Sequence, residues 1–295
     1  MKVLVAVDFG DSSLEALRQG RALAHALDAE FATCHVLPGG SELSGLFPER
    51  SLGLSNELTL DDEAARRALV EHARDRLGLE LSHVFIERGS AYAEIVRRAE
   101  SWGADYIAVG SHGRTGLSRV VLGSVAERVV NHAHCSVLVA RAVRKPGVVL
   151  VATDLSDASL PALVEGAAAA QRSGARLVVA SAIEWSNSFG ASASALIGAA
   201  PALPPPDVQA EVRDALRATL EQALVRVGAR GEARVLEGSA ASEIVRAADE
   251  LEAELVVVGA RGRTGLLRLA LGSVAERVLR SSSSSVLTVR HRASA

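Results

Sequence analysis

Cysteine is nearly absent from this chain. Cys34 and Cys135 are the two in 295 residues, too few for a disulfide-stapled scaffold. Charge of one sign is also lacking: 32 Lys and Arg stand against 35 Asp and Glu, a net charge of −3. So small a surplus gives no electrostatic drive toward nucleic acid or an acidic membrane surface. No apolar run reaches the length of a membrane span. The first residues enter an apolar β-like run at once, without a signal-peptide pattern. A soluble cytoplasmic protein is therefore expected, with no nucleic-acid or membrane partner. Also missing is the Gly-x-x-x-x-Gly-Lys-Ser/Thr loop with its phosphate-binding lysine, and no persuasive nucleophile–base pair is present.

What the chain has is a repeat. Gly110–Val129 and Gly259–Val278 are near-copies, each following an apolar run and leading through Gly-Ser into a helical pattern. Met1–Asp8 is echoed by Val148–Asp154, Gly89–Arg97 by Gly238–Arg246, and Cys135–Val139 by Ser285–Val289. The offset between copies grows by about three residues between the second strand and Gly238. Each copy has the size of a domain able to bury its own core. The expected organisation is a first domain over 1–141, a basic linker over 142–147 and a second domain over 148–295.

Within the first copy, Val3–Val7 reads as a strand buried on both faces. Ser12-Ser-Leu-Glu15 is a capping-box pattern that predicts a helix running to His25. Strands follow at Phe31–Val36 and Leu81–Glu87, with a helix between them capped by Asp61 or Asp62 and ending at Leu77. A helix over Tyr92–Trp102, a strand over Asp105–Val109, a helix after the Gly-rich loop and a strand over Ser136–Ala140 complete the unit. Strands alternating with helices predict right-handed βαβ units and a parallel sheet. The second copy repeats the plan from Val148 to Val289.

Two stretches depart from the repeat. Pro38–Phe47 and Ser186–Ser194, the latter running on to Pro206, are rich in Gly, Ser, Pro and Ala and read as excursions after the second strands. They fit either plain surface loops or lids over a ligand. His132-Ala-His134-Cys135 offers three metal-ligand types, but so close together at a helix-to-strand turn that they converge poorly on one ion. The matching Ser282, Ser284 and Ser285 supply no such ligands, and a turn with a buried cysteine is the better reading.

Gly110-x-x-Gly113, nine residues and then Gly123-Ser124 is one full signature; Gly259-x-x-Gly262, nine residues and then Gly272-Ser273 is a second. With the strand-ending Asp8 and Asp154, these motifs resemble the ATP-binding branch of the universal stress protein family, over essentially the whole chain as a tandem, two-domain member. The resemblance implies an α/β fold: two doubly wound, Rossmann-like domains (the adenine nucleotide alpha hydrolase-like fold), each with a five-stranded parallel sheet in the order 3-2-1-4-5. It implies ATP, with Mg2+ as its companion ion, as the ligand. By the same resemblance Asp8 meets the adenosine moiety and Val36 lies beside adenine. Gly110 and Gly113 form the ribose and phosphate loop with Arg114 beside the phosphates, and Gly123, Ser124 and Val125 form the phosphate-binding helix start. Asp154, Ala182 (or Ile183, if the strand ends slip by one), Gly259, Gly262, Arg263, Gly272, Ser273 and Val274 are the matching positions in the second domain. His112 is replaced there by Arg261.

The chemistry fits. In an open parallel sheet, ligands bind at the carboxyl ends of strands where the winding direction reverses. A helix start favours anions by about 0.3–1 kcal/mol, up to roughly 2 when partly buried. Binding near 1 μM needs about 8 kcal/mol, so loop amides, Arg114 and burial of adenine must supply the rest. The bland alternative is that Asp8 and Asp154 merely cap helices, and that Ser124-Val-Ala-Glu127 and Ser273-Val-Ala-Glu276 are only capping boxes. Three functions stay open: a nucleotide-dependent stress-response or regulatory module, a slow ATPase, and an interaction scaffold whose sites stay empty. In the family the last strand of each domain pairs antiparallel with another domain. Ser136–Ala140 and Ser285–Val289 are therefore expected to meet within the chain, with homodimerisation and a protein partner left open.

Overall fold

The computed structural model describes residues 1–39, 61–112, 122–142, 147–185, 203–260 and 271–290. They fall into two units, Met1–Ala142 and Val143–His291.

Unbroken apolar runs become the inner strands. In the first unit, β1 (Lys2–Ala6) and β4 (Tyr106–Gly110) leave Val3, Leu4, Val5, Ile107 and Ala108 without exposed surface. Strands covered on both faces need such sequences. β2 (Glu30–Leu37), β3 (Val84–Arg88) and β5 (Ser136–Ala140) complete the sheet. Every pairing is parallel, and the order is 3-2-1-4-5. Four helices make the crossovers: α1 (Asp11–Ala26), α2 (Asp62–Leu77), α3 (Ala91–Trp102) and α4 (Ser124–His132). Right-handed crossovers place α1 with α2 on one face and α3 with α4 on the other, and each of these pairs is in contact. The winding direction changes between β1 and β4.

The second unit repeats this plan. Its strands are β6 (Val148–Ala152), β7 (Arg176–Ile183), β8 (Glu232–Glu237), β9 (Leu255–Gly259) and β10 (Ser285–Val289). They pair in parallel in the order 8-7-6-9-10. The connecting helices are α5 (Leu160–Ser173), α6 (Pro206–Arg226), α7 (Ala240–Glu250) and α8 (Ser273–Ser281).

Close packing fixes the helix over the switch point. A Cβ on Gly20 of α1 would stand 2.5 Å from Val5 Cγ2 and 3.2 Å from Ala108 Cβ, so the helix backbone rests on β1 and β4. Gly166 of α5 makes the same approach to Val151 and Val257. Only glycine allows that distance without displacing the strand residues.

Some predicted boundaries shift. Helix α1 opens at Asp11, with Gly10 as N-cap and no side-chain cap, rather than at the Ser12–Glu15 pattern. The turn set by Asp8 has already delivered the chain into the helix. Strand β3 begins at Val84 rather than Leu81, because its ladder with β2 starts at Thr33↔Val84. Leu81 is buried all the same. Asp61 caps α2 as expected, accepting from the Glu63 amide at 3.2 Å. Most of both Gly/Ser/Pro excursions, the lid candidates, lies outside the described residues.

Candidate functional site

Register brings the candidate residues to one end of each sheet. Ala6 pairs with Cys34, and two residues on in each strand stand Asp8 and Val36. Val5 pairs with Ala108, which carries Gly110 to the level of Val7. Ala152 pairs with both Ala180 and Val258, giving Asp154, Ala182 and Gly259 the same relation. β2 and β7 share one burial pattern, in which Val36 and Ala182 are the half-exposed positions near the carboxyl end. Ala182 is thus the structural counterpart of Val36, and Ile183 is buried.

The turn after the first strand is alike in both units. Asp8 Oδ1 accepts the Gly10 amide at 3.0 Å, and Asp154 Oδ1 accepts the Ser156 amide at 3.1 Å and its hydroxyl at 2.6 Å. These bonds shape the turn entering the helix; they do not reach its second or third amide as an N-cap side chain does. The next residues, Phe9 and Leu155, have φ of 67° and 60°. Left-handed backbone costs a non-glycine residue roughly 1–2 kcal/mol, and it clusters where a site dictates the geometry. Phe9 packs edge-on against His35 at 4.9 Å and His72 at 5.4 Å between ring centroids. His35 Nδ1 donates to the Val7 carbonyl at 2.6 Å.

Among the described residues, the chain leaving β4 is tied to the sheet and to the returning chain by backbone hydrogen bonds. Ser111 N donates to Ala140 O at 3.2 Å, and Gly123 N donates to Ser111 O at 2.6 Å. Ala260 N to Val289 O and Gly272 N to Ala260 O, both 2.9 Å, repeat the arrangement. The returning glycines are the N-caps of α4 and α8, with ψ of 147° and 146° and no side-chain cap. Ser124 and Ser273 are therefore first helical residues, not capping residues, and the predicted capping boxes do not form. A glycine N-cap offers no side chain of its own to the orphan amides of these helix starts. Ser124, Val125, Ser273 and Val274 are all exposed. Val125 and Val274 are 39% and 38% exposed beside the two helix starts. Gly113, Arg114, Gly262 and Arg263 lie outside the described residues, as does Arg261.

Several neighbours escaped the sequence reading. Ser12, Ser111 and His112 bond to one another at the root of the first loop. Arg141 is buried directly after β5, and its carbonyl accepts from Gln19 Nε2 at 2.8 Å. Burial pushes its guanidinium down to about 10, so it remains charged at neutral pH. In the second unit Glu237 accepts from Trp185 Nε1 at 2.9 Å and Arg213 Nη1 at 3.0 Å, and these contacts hold its carboxyl below the usual carboxylate range. The His132–Cys135 turn is structural: the two imidazoles meet the carbonyls of Arg128 at 2.8 Å and Ala104 at 3.2 Å. Among the described residues no group of three His, Cys, Asp or Glu is arranged for a metal, and no helix is long and apolar enough to cross a membrane.

Two doubly wound domains in one chain, each with a glycine-bearing loop and an uncapped helix start at its switch point, define a tandem α/β protein of Rossmann-like architecture. The chain belongs to the universal stress protein family, whose model matches residues 1–141 and 147–290. A universal stress protein of Methanocaldococcus jannaschii is 38% identical over 145 residues, 49% of this chain and 82% of that protein. Another, from Bacillus subtilis, is 30% identical over 149 residues, 48% of this chain and 98% of that protein. A solved universal stress protein from Archaeoglobus fulgidus shares the fold at a TM-score of 0.64 and 20% identity, covering 98% of each chain.

Proposed function

We propose that each unit binds ATP, or a related adenine nucleotide, at the carboxyl ends of its first, second and fourth strands, and that occupancy governs a stress-response or regulatory interaction. The observation that carries this is the pair of helix starts at Gly123 and Gly272. Each follows a loop closed at its base, lacks a side-chain cap and has an exposed serine and valine in its first turn. Uncapped amides and the helix dipole favour a phosphate there. Asp8 and Asp154 would meet the ribose, with Val36 and Ala182 beside the base. Gly110, Gly113 and Arg114, and in the second unit Gly259, Gly262 and Arg263, would complete the loop. Mg2+ would neutralise part of the triphosphate charge.

Denaturing the purified protein, identifying any released nucleotide by mass spectrometry and titrating the nucleotide-free protein with Mg-ATP tests this. Two nucleotides per chain are expected. One would mean that a site has been lost, and neither release nor heat would leave an interaction scaffold. Phosphate release abolished by substitutions at Arg114 and Arg263 would make the protein a slow ATPase.

A further inference from the structure

The strand-end carboxylates are held differently in the two units. In the second, a directed chain of hydrogen bonds runs through the turn after β6 and ends on Asp154. The amide of Leu155, the residue with left-handed backbone, donates to Thr153 Oγ1 at 3.0 Å. Thr153 Oγ1 and Ser159 Oγ stand 2.8 Å apart, and Ser159 Oγ donates to the Ser156 carbonyl at 2.9 Å. A hydroxyl has one proton to give. Ser159 commits its own to that carbonyl, so Thr153 is the donor between the two hydroxyls. Ser156 then gives Asp154 Oδ1 both its amide, at 3.1 Å, and its hydroxyl, at 2.6 Å. Thr153 and Ser159 are buried, so water does not compete for these bonds, and each bond polarises the next.

The first unit has Val7 and Gly10 where the second has Thr153 and Ser156. Ser13 does repeat the bond of Ser159, donating to the Gly10 carbonyl at 2.9 Å. Valine and glycine have no hydroxyl, so the rest of the chain cannot form there. Asp8 Oδ1 accepts the Gly10 amide at 3.0 Å, and Phe9 is packed against the rings of His35 and His72.

We infer that Ser156 is a positioning residue that makes the second unit selective for ribonucleotides: its hydroxyl fixes the Asp154 carboxylate for a sugar hydroxyl before the ligand arrives. The selectivity rests on the nucleotide reading above; the hydrogen-bonded chain does not. A site built to bond a hydroxyl rejects an analogue that lacks it, because the polar group of the site is then left unpaired. That rejection is sharpest when the group is already oriented and cannot turn to another partner.

Calorimetry on Gly123→Asp, in which the first site is blocked by a carboxylate, reads the second unit. The titrants are the Mg complexes of ATP, 2′-deoxy-ATP and 3′-deoxy-ATP. ATP is expected to bind about tenfold more tightly than at least one deoxy analogue, the value of a hydrogen bond to a charged group. Adding Ser156→Ala should weaken ATP by about fivefold and leave that analogue unchanged, whereas a structural role alone would weaken all three alike. Ser156→Thr, which keeps the hydroxyl, should recover the preference. In the ligand-free protein the Leu155 amide should resist hydrogen exchange and lose that protection in Thr153→Val; protection indifferent to Thr153 would overturn the chain. If ATP binds but all three titrants bind equally, or all weaken equally in Ser156→Ala, the selectivity is overturned and the nucleotide reading stands. If none of the three binds, the nucleotide reading of the second unit fails and the selectivity fails with it.

Discussion

Gly123 donates its amide to the carbonyl of Ser111 at 2.6 Å, a backbone bond across the base of the first Gly-rich loop. Gly272 and Ala260 do the same at 2.9 Å in the second unit. The strand before each loop is held by its ladder and the helix after it by its own hydrogen bonds.

Gly123→Asp and Gly272→Asp separate anion binding from helix capping. Both glycines have the extended N-cap conformation that aspartate adopts well, and aspartate there gains a few tenths of a kcal/mol over glycine. Each variant is expected to unfold at the same temperature or slightly higher while losing one equivalent of ATP in calorimetric titration. Retained binding would show that no phosphate lies at that helix start.

Asp8→Asn and Asp154→Asn probe the strand-end carboxylates. The amide oxygen still accepts from Gly10 or Ser156, so chemical denaturation should move by less than about 1 kcal/mol. Charge-assisted bonds are about twice as strong as neutral ones, so ATP affinity at the altered site should fall about tenfold. Denaturation midpoint and dissociation constant, measured on the same preparations, check the pair.

Gly20→Val and Gly166→Val test the closeness of the first helix of each unit. Their added atoms would collide with Val5 or Val151, and overpacking of this kind costs about 1–3 kcal/mol or more. A urea midpoint unchanged in both variants would contradict the packing described.

The Trp185–Glu237–Arg213 group predicts a pH dependence. The indole and then the guanidinium depress the Glu237 carboxyl. Its stabilising contribution is present above the unfolded value near about 4.3 and is lost as pH falls through the lower folded value. Trp185→Phe removes the main cause, so this variant should be slightly less stable than wild type at neutral pH. The gap should narrow in thermal unfolding as pH falls below the ordinary carboxylate range. Glu237 is well exposed, so the effect is small and shrinks with salt.

Much of the fold was legible because Val3–Val5, Ile107 and Val149–Val151 are apolar on both sides of a covered sheet, a pattern few other structures allow. The repeat then doubled every inference. Helix starts read less well. Ser12, Ser124 and Ser273 have the sequence of capping residues, yet the returning glycines set the caps one residue before Ser124 and Ser273, and the Asp8 turn sets its cap two residues before Ser12. The Ser12–Ser111 contact joins residues 99 positions apart, beyond any local pattern, and the burial of Arg141 depends on the finished sheet. Asp8, Val36, Gly110, Gly123, Ser124 and Val125 do converge on one sheet end, and so do Asp154, Ala182, Gly259, Gly272, Ser273 and Val274. Gly113, Arg114, Gly262 and Arg263 fall outside the described residues.

The left-handed backbone at Phe9 and Leu155 sets a trade-off for anyone engineering this chain. Glycine or asparagine would relieve the backbone at either position, yet at Phe9 either would give up the ring contacts with His35 and His72. A library sorted purely for heat resistance should therefore relax Leu155 before Phe9, and so slacken the turn that holds Asp154 first.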